Sequence, residues 1–239
     1  MAKSRQSVEL LGDTVEYDVQ RSRKASKPRI DVDIHGVKVV IPESDETLPS
    51  ELLKENAVWV IEKKREYDKY REQIPDREFV AGETFPYLGE SFEVIVEKRS
   101  SSAVIESEFR LAKHHVEQTS VQRALETLYR REARDYFEDR AEHFADKMDV
   151  EYEQIEVRNQ RTKWGSCSTT GTLGLNWRLM MAPPDVVDYI VIHELAHLRE
   201  QNHTDEFWSL VAKHDPEYES HAGWLSKNST QLIFTDDDL

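Results

Sequence analysis

The sequence predicts an α+β protein in two portions: residues 1–105, β-rich with one helix, and residues 106–239, helices around a small sheet. Three observations carry this. Short runs of alternating β-formers fill the first hundred residues. A long amphipathic pattern covers 119–149. A strongly apolar helix then leads into HELAHLREQNH, from His193 to His203.

The elements follow in order. VEYDV (15–19), RIDVDI (29–34) and VKVVIP (37–42) read as strands, and His35-Gly36 marks a hairpin-like turn between the last two. A helix runs from about Leu48 to Tyr70, with capping residues in TLPSELL and with Trp59, Val60 and Lys63 carrying it onward. The stretch from Phe85 reads as a turn and a strand pair, and SSSA at 100–103 as a loop. Val121, Leu125, Leu128 and Tyr129 begin the apolar stripe of the long helix, a core stripe. A strand pair follows: IEVRN leads toward Trp164, and TTG (169–171) turns the chain into TLGLNW. Further helices run from Thr204 to Lys213 and from Ser220. No internal repeat is visible, and the acidic tail at 236–238 is the one low-complexity tract.

Val187, Ile190 and Val191 share one helix face, Pro183 and Pro184 suit a helix start, and Asp185 and Asp188 favour its positive end. A polar His-Glu pair inside so apolar a helix needs a reason. His193 and His197 are four residues apart, so both imidazoles lie on one face, where two neutral ring nitrogens can grip one cation. Zinc suits them best. Glu194 is rotated off the ligand axis and can take the proton of a metal-acidified water. His203, past the helix end, supplies a third ligand, and Glu217 or Glu219 are the substitutes. Three protein ligands and one open position describe a catalytic zinc rather than a structural one. A hydrogen-bonded pair of core histidines would leave His203 unexplained.

The words RNQRTKWGSCS from Arg158, LNWRLMMAPPDVVDYIVIHELAHL from Leu175 and NHTDEFW from Asn202 resemble the YgjP-like zinc metallopeptidases, relatives of the SprT-like proteases. The resemblance covers most of the chain and is strongest from Arg158 to Trp224. It implies that His193, His197 and His203 bind zinc and that Glu194 is the general base. The element order agrees with a zincin-like catalytic domain, its HExxH helix lying under a small sheet whose edge strand binds extended peptide. The strand nearest the helix in sequence is GTLGLNW, where Gly171 and Gly174 permit close approach of another backbone or serve the turn. The spacing of His197 and His203 is also that of the metzincins, but Glu200 replaces the glycine they carry there.

Composition sets limits on the rest. With 239 residues the chain makes one large or two small domains. No apolar run is long enough to cross a bilayer. MAKSRQSVELLGDTVEYDV lacks the apolar core of a signal peptide. The single cysteine, Cys167, excludes an internal disulfide framework and fits a reducing cytoplasm. A net charge of −15 argues against general affinity for nucleic acid or anionic membranes. RSRKASKPR (21–29) is a local exception, read first as a solvated strand edge and second as an anion-contacting patch.

The expected activity is zinc-dependent hydrolysis of a peptide or protein substrate. Two alternatives stay open: a nucleotide pyrophosphohydrolase, which Arg161 and Lys163 converging on the site would support, and a zinc-binding module without turnover, which Glu194 argues against. Cys167 reads as a buried packing residue before a redox-sensitive zinc ligand. Trp164, Trp177, Phe207 and Trp208 read as packing around the site. His214, Tyr218 and His221 are the candidate oxyanion donors.

Overall fold

Strands β1 (Arg5–Leu10) and β2 (Asp13–Ser22) form an antiparallel hairpin. Its two-residue turn, Leu11-Gly12, has φ of 52° and 92°, the positive pair that matches the twist of paired strands. A second hairpin, β3 (Arg29–Asp33) and β4 (Gly36–Pro42), joins it by a parallel β2–β4 pairing, giving the order β1-β2-β4-β3. The computed structural model describes residues 5–33, 35–235 and 238, so Ile34 of the expected third strand lies outside the described residues. The single helix expected from Leu48 is two, α1 (Pro49–Glu55) and α2 (Ala57–Glu72), broken at Asn56 with φ −110° and ψ 20°. Val15, Val39, Ile41, Leu53 and Val60 make the core of this unit, which ends at Pro75. Two of the five cations of the basic run are paired locally, Arg23 with Glu43 and Arg29 with Asp31, both at 3.0 Å, and Arg21 donates to the Pro42 carbonyl.

The second unit, Asp76–Asp238, opens with β5 (Thr84–Tyr87), β6 (Glu90–Glu97), β7 (Ala103–Ile105) and β8 (Glu108–Ala112). Their order, β5-β6-β8-β7, and every pairing sense repeat those of β1–β4. The correspondence extends to register. Leu88-Gly89 turns the first hairpin with φ of 49° and 82°, as Leu11-Gly12 does. Tyr17 faces Val37 across the parallel pairing as Val94 faces Phe109, and Val32 faces Val37 as Val104 faces Phe109. A short and a long helix follow each copy. The chain thus contains a topological repeat where its sequence shows none, because little besides the Leu-Gly turn and the in–out alternation is shared.

The expected division at 105 falls inside the β7–β8 hairpin, whereas the compact units divide between Pro75 and Asp76. The reason is packing: Phe85, Val94, Phe109 and Leu111 lie in one core with Leu125, Tyr129 and Phe137 of the long helix and Val187 and Val191 of the site helix. A short helix missed by the sequence reading, α3 (Lys113–Gln118), precedes that long helix, α4 (Val121–Met148). Ser120 caps α4 by accepting from the Arg123 N–H, and left-handed Asp149 ends it.

A three-stranded sheet comes next: β9 (Gln154–Arg158), β10 (Gly165–Cys167) and β11 (Thr172–Asn176), ordered β10-β11-β9. A 3-10 turn, Trp177–Met181, leads to α5 (Pro184–Ala196), α6 (Asp205–His214) and α7 (Tyr218–Asn228). Arg140 of α4 donates twice to Asp188, both at 2.6 Å, which ties the start of α5 to the long helix. Of the expected acidic tail, 236 and 237 lie outside the described residues, while Asp238 is buried and pairs with buried Arg178 at 3.3 Å. Among the described residues no helix is long and apolar enough to cross a membrane.

Phe137 of α4 is fully buried in the core that carries the site helix. Phe137→Ala is expected to destabilise the second unit by about 3–5 kcal/mol, measured as a shift in its urea-unfolding midpoint; a midpoint equal to wild type would contradict this packing.

Candidate metal centre

Helix α5 is buried on nearly every side: Val186, Val187, Tyr189, Ile190, Val191, Ile192, Leu195 and Ala196 are all core residues. Glu194, at 5% exposure, is buried with them. The helix ends at Ala196 and His197 caps it. The chain then turns through backbone bonds from the Arg199 and Glu200 amides to the Ala196 carbonyl. No residue between 197 and 203 has positive φ, so glutamate is accommodated at 200 where the metzincins place glycine. Thr204 caps α6 by accepting from the Phe207 N–H, which fixes Phe207 and Trp208 against the rings above them.

The turn returns His203 to the other two histidines. One ring nitrogen from each of His193, His197 and His203 lies within 4.8 Å of the others, and Nε2 of His193 and His203 are 3.0 Å apart. Phe207 packs on all three rings at centroid distances of 4.9, 4.7 and 4.7 Å, and Trp208 stacks on His203 at 5.5 Å. His203 completes the cluster, which includes neither Glu217 nor Glu219.

The donor set fits a cation. Burial, then the neighbouring rings, lowers the His193 pKa to about 4, and burial lowers that of His197. Both rings are therefore neutral at pH 7 and offer lone pairs. The His197 Nδ1–H can donate to the Glu200 carbonyl at 3.1 Å, which leaves Nε2 free as a ligand. His193 Nδ1 is buried without a hydrogen-bond partner. Three converging imidazoles cannot satisfy one another, since a close pair of nitrogens shares at most one proton. A divalent ion would satisfy all three.

Glu194 faces β10. A Cβ built on Gly165 would lie 2.4 Å from Glu194 Oε1 and 2.6 Å from its Cγ, so only glycine leaves the carboxylate its place. Burial raises the Glu194 pKa to about 7, with the Lys163 cation pulling it back. The sequence reading gave Gly165 no role, because its signal is a steric contact between residues distant in sequence.

The strand beside the site is β10, not β11 as expected: β11 is the central strand, paired on both sides. The Asn176 N–H donates to the Trp164 carbonyl and the Ser168 N–H to the Thr172 carbonyl, each at 2.9 Å. By the alternation of an antiparallel ladder, Gly165 and Cys167 direct their peptide groups to the free edge. Gly171, with φ 86°, serves the turn. Gly174 makes room for the Arg158 side chain, whose Cδ and Nε lie 2.7 Å from a built Cβ, and not for a second backbone.

A cavity of about 460 Å³ lies over the three histidines, between Gly165–Thr169 and the Leu198–His203 turn. Lys163 lines it, whereas Arg161 does not. Cys167 is half-buried on its wall, and burial, with the Glu194 charge adding, pushes its thiol up to about 11. It is a protonated wall residue rather than the fully buried packing residue expected. Trp177 packs on Tyr129 and Phe234. Of the oxyanion candidates, His221 is held through Nδ1 by buried Asp215 at 2.9 Å. Tyr218 stacks on Trp208, and His214 Nε2 is buried without a partner.

If the three rings share one ion, His193→Ala, His197→Ala and His203→Ala should each lose the equivalent of metal that the wild type holds, read by elemental analysis of the folded variants. A His203→Ala chain with full metal would return the third position to Glu217 or Glu219.

Comparison with known proteins gives the family. The YgjP-like, metallopeptidase domain family matches residues 26–228. No curated protein matches the chain. Two solved structures are similar to part of it. The metallopeptidase zymogen of Pyrococcus abyssi abylysin is 28% identical over 38% of this chain and 93% of that one, with a TM-score of 0.36. The metallopeptidase zymogen of Methanocaldococcus jannaschii jannalysin is 22% identical over 39% of this chain and 96% of that one, also with a TM-score of 0.36. With a single family spanning the site and most of both units, the chain belongs to the YgjP-like metallopeptidases.

Proposed function

We propose that this metallopeptidase uses zinc, held by His193, His197 and His203, with Glu194 as its general base. The observation that carries the reading is the meeting of three imidazoles and one buried carboxylate beneath a free strand edge. An all-imidazole set with an open side suits zinc better than magnesium or calcium, which prefer oxygen ligands. When bound, the ion supplies Lewis-acid polarisation of the scissile carbonyl and acidifies a water.

The chain's own residues do the rest. An extended substrate pairs with the peptide groups of Gly165 and Cys167 at the free edge of β10. That pairing holds the scissile bond over α5. Glu194 takes a proton from the attacking water on its carboxylate and hands it to the departing amine nitrogen. Its burial makes it a stronger base than an exposed glutamate, and Gly165 holds it in place. Of the three candidate oxyanion donors, His221 has its ring fixed by Asp215, and none of the three lines the cavity over the histidines. The phosphoanhydride alternative is not retained: the family is one of peptidases, and only one of the two cations it required lines the cavity. A module without turnover would have no use for a buried carboxylate beside the metal ligands.

Glu194→Gln is expected to keep its metal and fold while peptide hydrolysis falls about 100- to 10,000-fold; unchanged turnover would remove Glu194 from the chemistry. Gly165→Ala should likewise keep its metal and lower kcat more than it raises KM, because the added methyl displaces the carboxylate and leaves the free edge intact. Removal of metal by chelation should abolish hydrolysis, and stoichiometric zinc should restore it. Recovery with magnesium alone would overturn the choice of zinc.

A further inference from the structure

We infer that Lys163 determines specificity: its ammonium group binds a carboxylate of the substrate, so the enzyme selects peptides that carry a negative charge close to the scissile bond. The inference rests on the peptidase reading above and adds the substrate class. Lys163 lines the cavity over the histidines, and among the described residues it is the only lysine or arginine that does so. Glu194 is the only carboxylate there, and in that reading it is committed to the attacking water.

The place of Lys163 is fixed from behind. Fully buried Asn176 donates from Nδ2 to the Lys163 carbonyl at 3.2 Å and from its N–H to the Trp164 carbonyl at 2.9 Å. Two residues on, Gly165 lies against Glu194. An extended chain advances about 3.3 Å per residue, so Lys163 sits about 7 Å along from the point where the strand meets the general base. The lysine is exposed, and its charge is felt at Glu194. A substrate paired along the strand advances at the same rate. The group that meets Lys163 therefore belongs to a residue within about three positions of the cut. This holds whichever way the substrate runs along β10.

What the ammonium lacks is a partner. Among the described residues no side chain forms an ion pair or hydrogen bond with it. The chain has 47 acidic residues against 32 lysines and arginines, and other cations of the same unit are paired: Arg140 with Asp188, Arg158 with Glu156 and Arg199 with Asp149. Glu194 does not fill the role, because it is 5% exposed and packed behind Gly165. A substrate carboxylate would complete the pair with a charge-assisted hydrogen bond. The overall charge of −15 does not prevent this. Charges more than about 8 Å away are screened at physiological salt, so local groups set the field in the cavity. A divalent ion on the histidines adds positive charge there, and a substrate lysine or arginine would meet like charge.

The test is cleavage-site profiling of the zinc-loaded full chain and its Lys163→Gln and Lys163→Glu variants on a peptide library with amidated ends. The wild type should favour Asp or Glu over Asn or Gln by about 5- to 20-fold at one position within about three residues of the cut. That preference should vanish in Lys163→Gln, turn to Lys and Arg in Lys163→Glu, and shrink in the wild type as salt is raised. Each ratio is read within one enzyme, so an overall loss of rate in a variant leaves it intact. A second arm compares neutral peptides with free and amidated C-termini. A free-end preference lost in Lys163→Gln assigns the carboxylate to the chain terminus rather than to a side chain. A profile with neither preference, or one that both variants share with the wild type, overturns the assignment and leaves the peptidase reading standing. A uniform slowing of every peptide does the same, since that is the result expected if Lys163 acts on Glu194 alone. If no peptide is cut, the peptidase reading fails by itself, and Lys163 is judged by NMR titration with acetylglutamate amide and acetylglutamine amide, read at the Gly165 amide. Tighter binding of the glutamate compound, lost in Lys163→Gln, supports the assignment. Equal binding of the two, or an advantage that the variant keeps, overturns it.

Discussion

The structure depends on one constraint: a helix buried on nearly all sides carries a buried carboxylate and two half-buried imidazoles at the edge of an apolar core. Such groups are costly to bury without partners. The fold resolves the cost by convergence. The turn after Ala196 returns His203 to the pair, so three lone-pair donors face one point. Phe207 closes the far side of the rings. Glu194 is left beside the ligands, shielded from bulk water, with Lys163 as the charge that steadies it. The same burial that keeps His193 and His197 neutral raises the pKa of Glu194.

Around that helix, each neighbour has a positioning task. The long helix α4 supplies the floor through Leu125, Tyr129 and Phe137 and grips the start of α5 through Arg140 and Asp188. The three-stranded sheet brings a free edge over the ligand turn, and glycine at 165 allows the edge strand to approach the carboxylate. Lys163, Gly165 and Cys167 line the cavity over the histidines along the whole of that strand. The edge strand is short, three residues.

The repeated four-stranded arrangement is used differently in the two units. In the second, the Leu88-Gly89 turn docks on the segment before α5: the Leu88 amide donates to the Met180 carbonyl at 2.7 Å, and Gly89 lies close to Pro183. That contact braces the start of the site helix. In the first, Leu11 is 69% exposed and a Cβ on Gly12 would meet nothing within 4 Å. One topology therefore serves as a brace in the catalytic unit and as a separate core in the other.

The sequence by itself determined the metal centre and the class of fold. The spacing of His193, Glu194 and His197 is fixed by helix geometry, the apolar run before them announces burial, and Thr204 followed by Phe207 announces the next helix. These are local features, set by residues within a turn or two of each other. Tertiary structure decided what lies across from them. That β10 and not β11 forms the free edge, that Gly165 must lack a side chain, that Asp215 orients His221, and that the β5–β8 sheet joins the catalytic core are all contacts between segments far apart in the chain. Strand order leaves no mark in local periodicity, since strands of three to five residues are too short to show which of their edges are paired. The repeat stayed hidden for the same reason: its register is carried by burial, which many different residues satisfy.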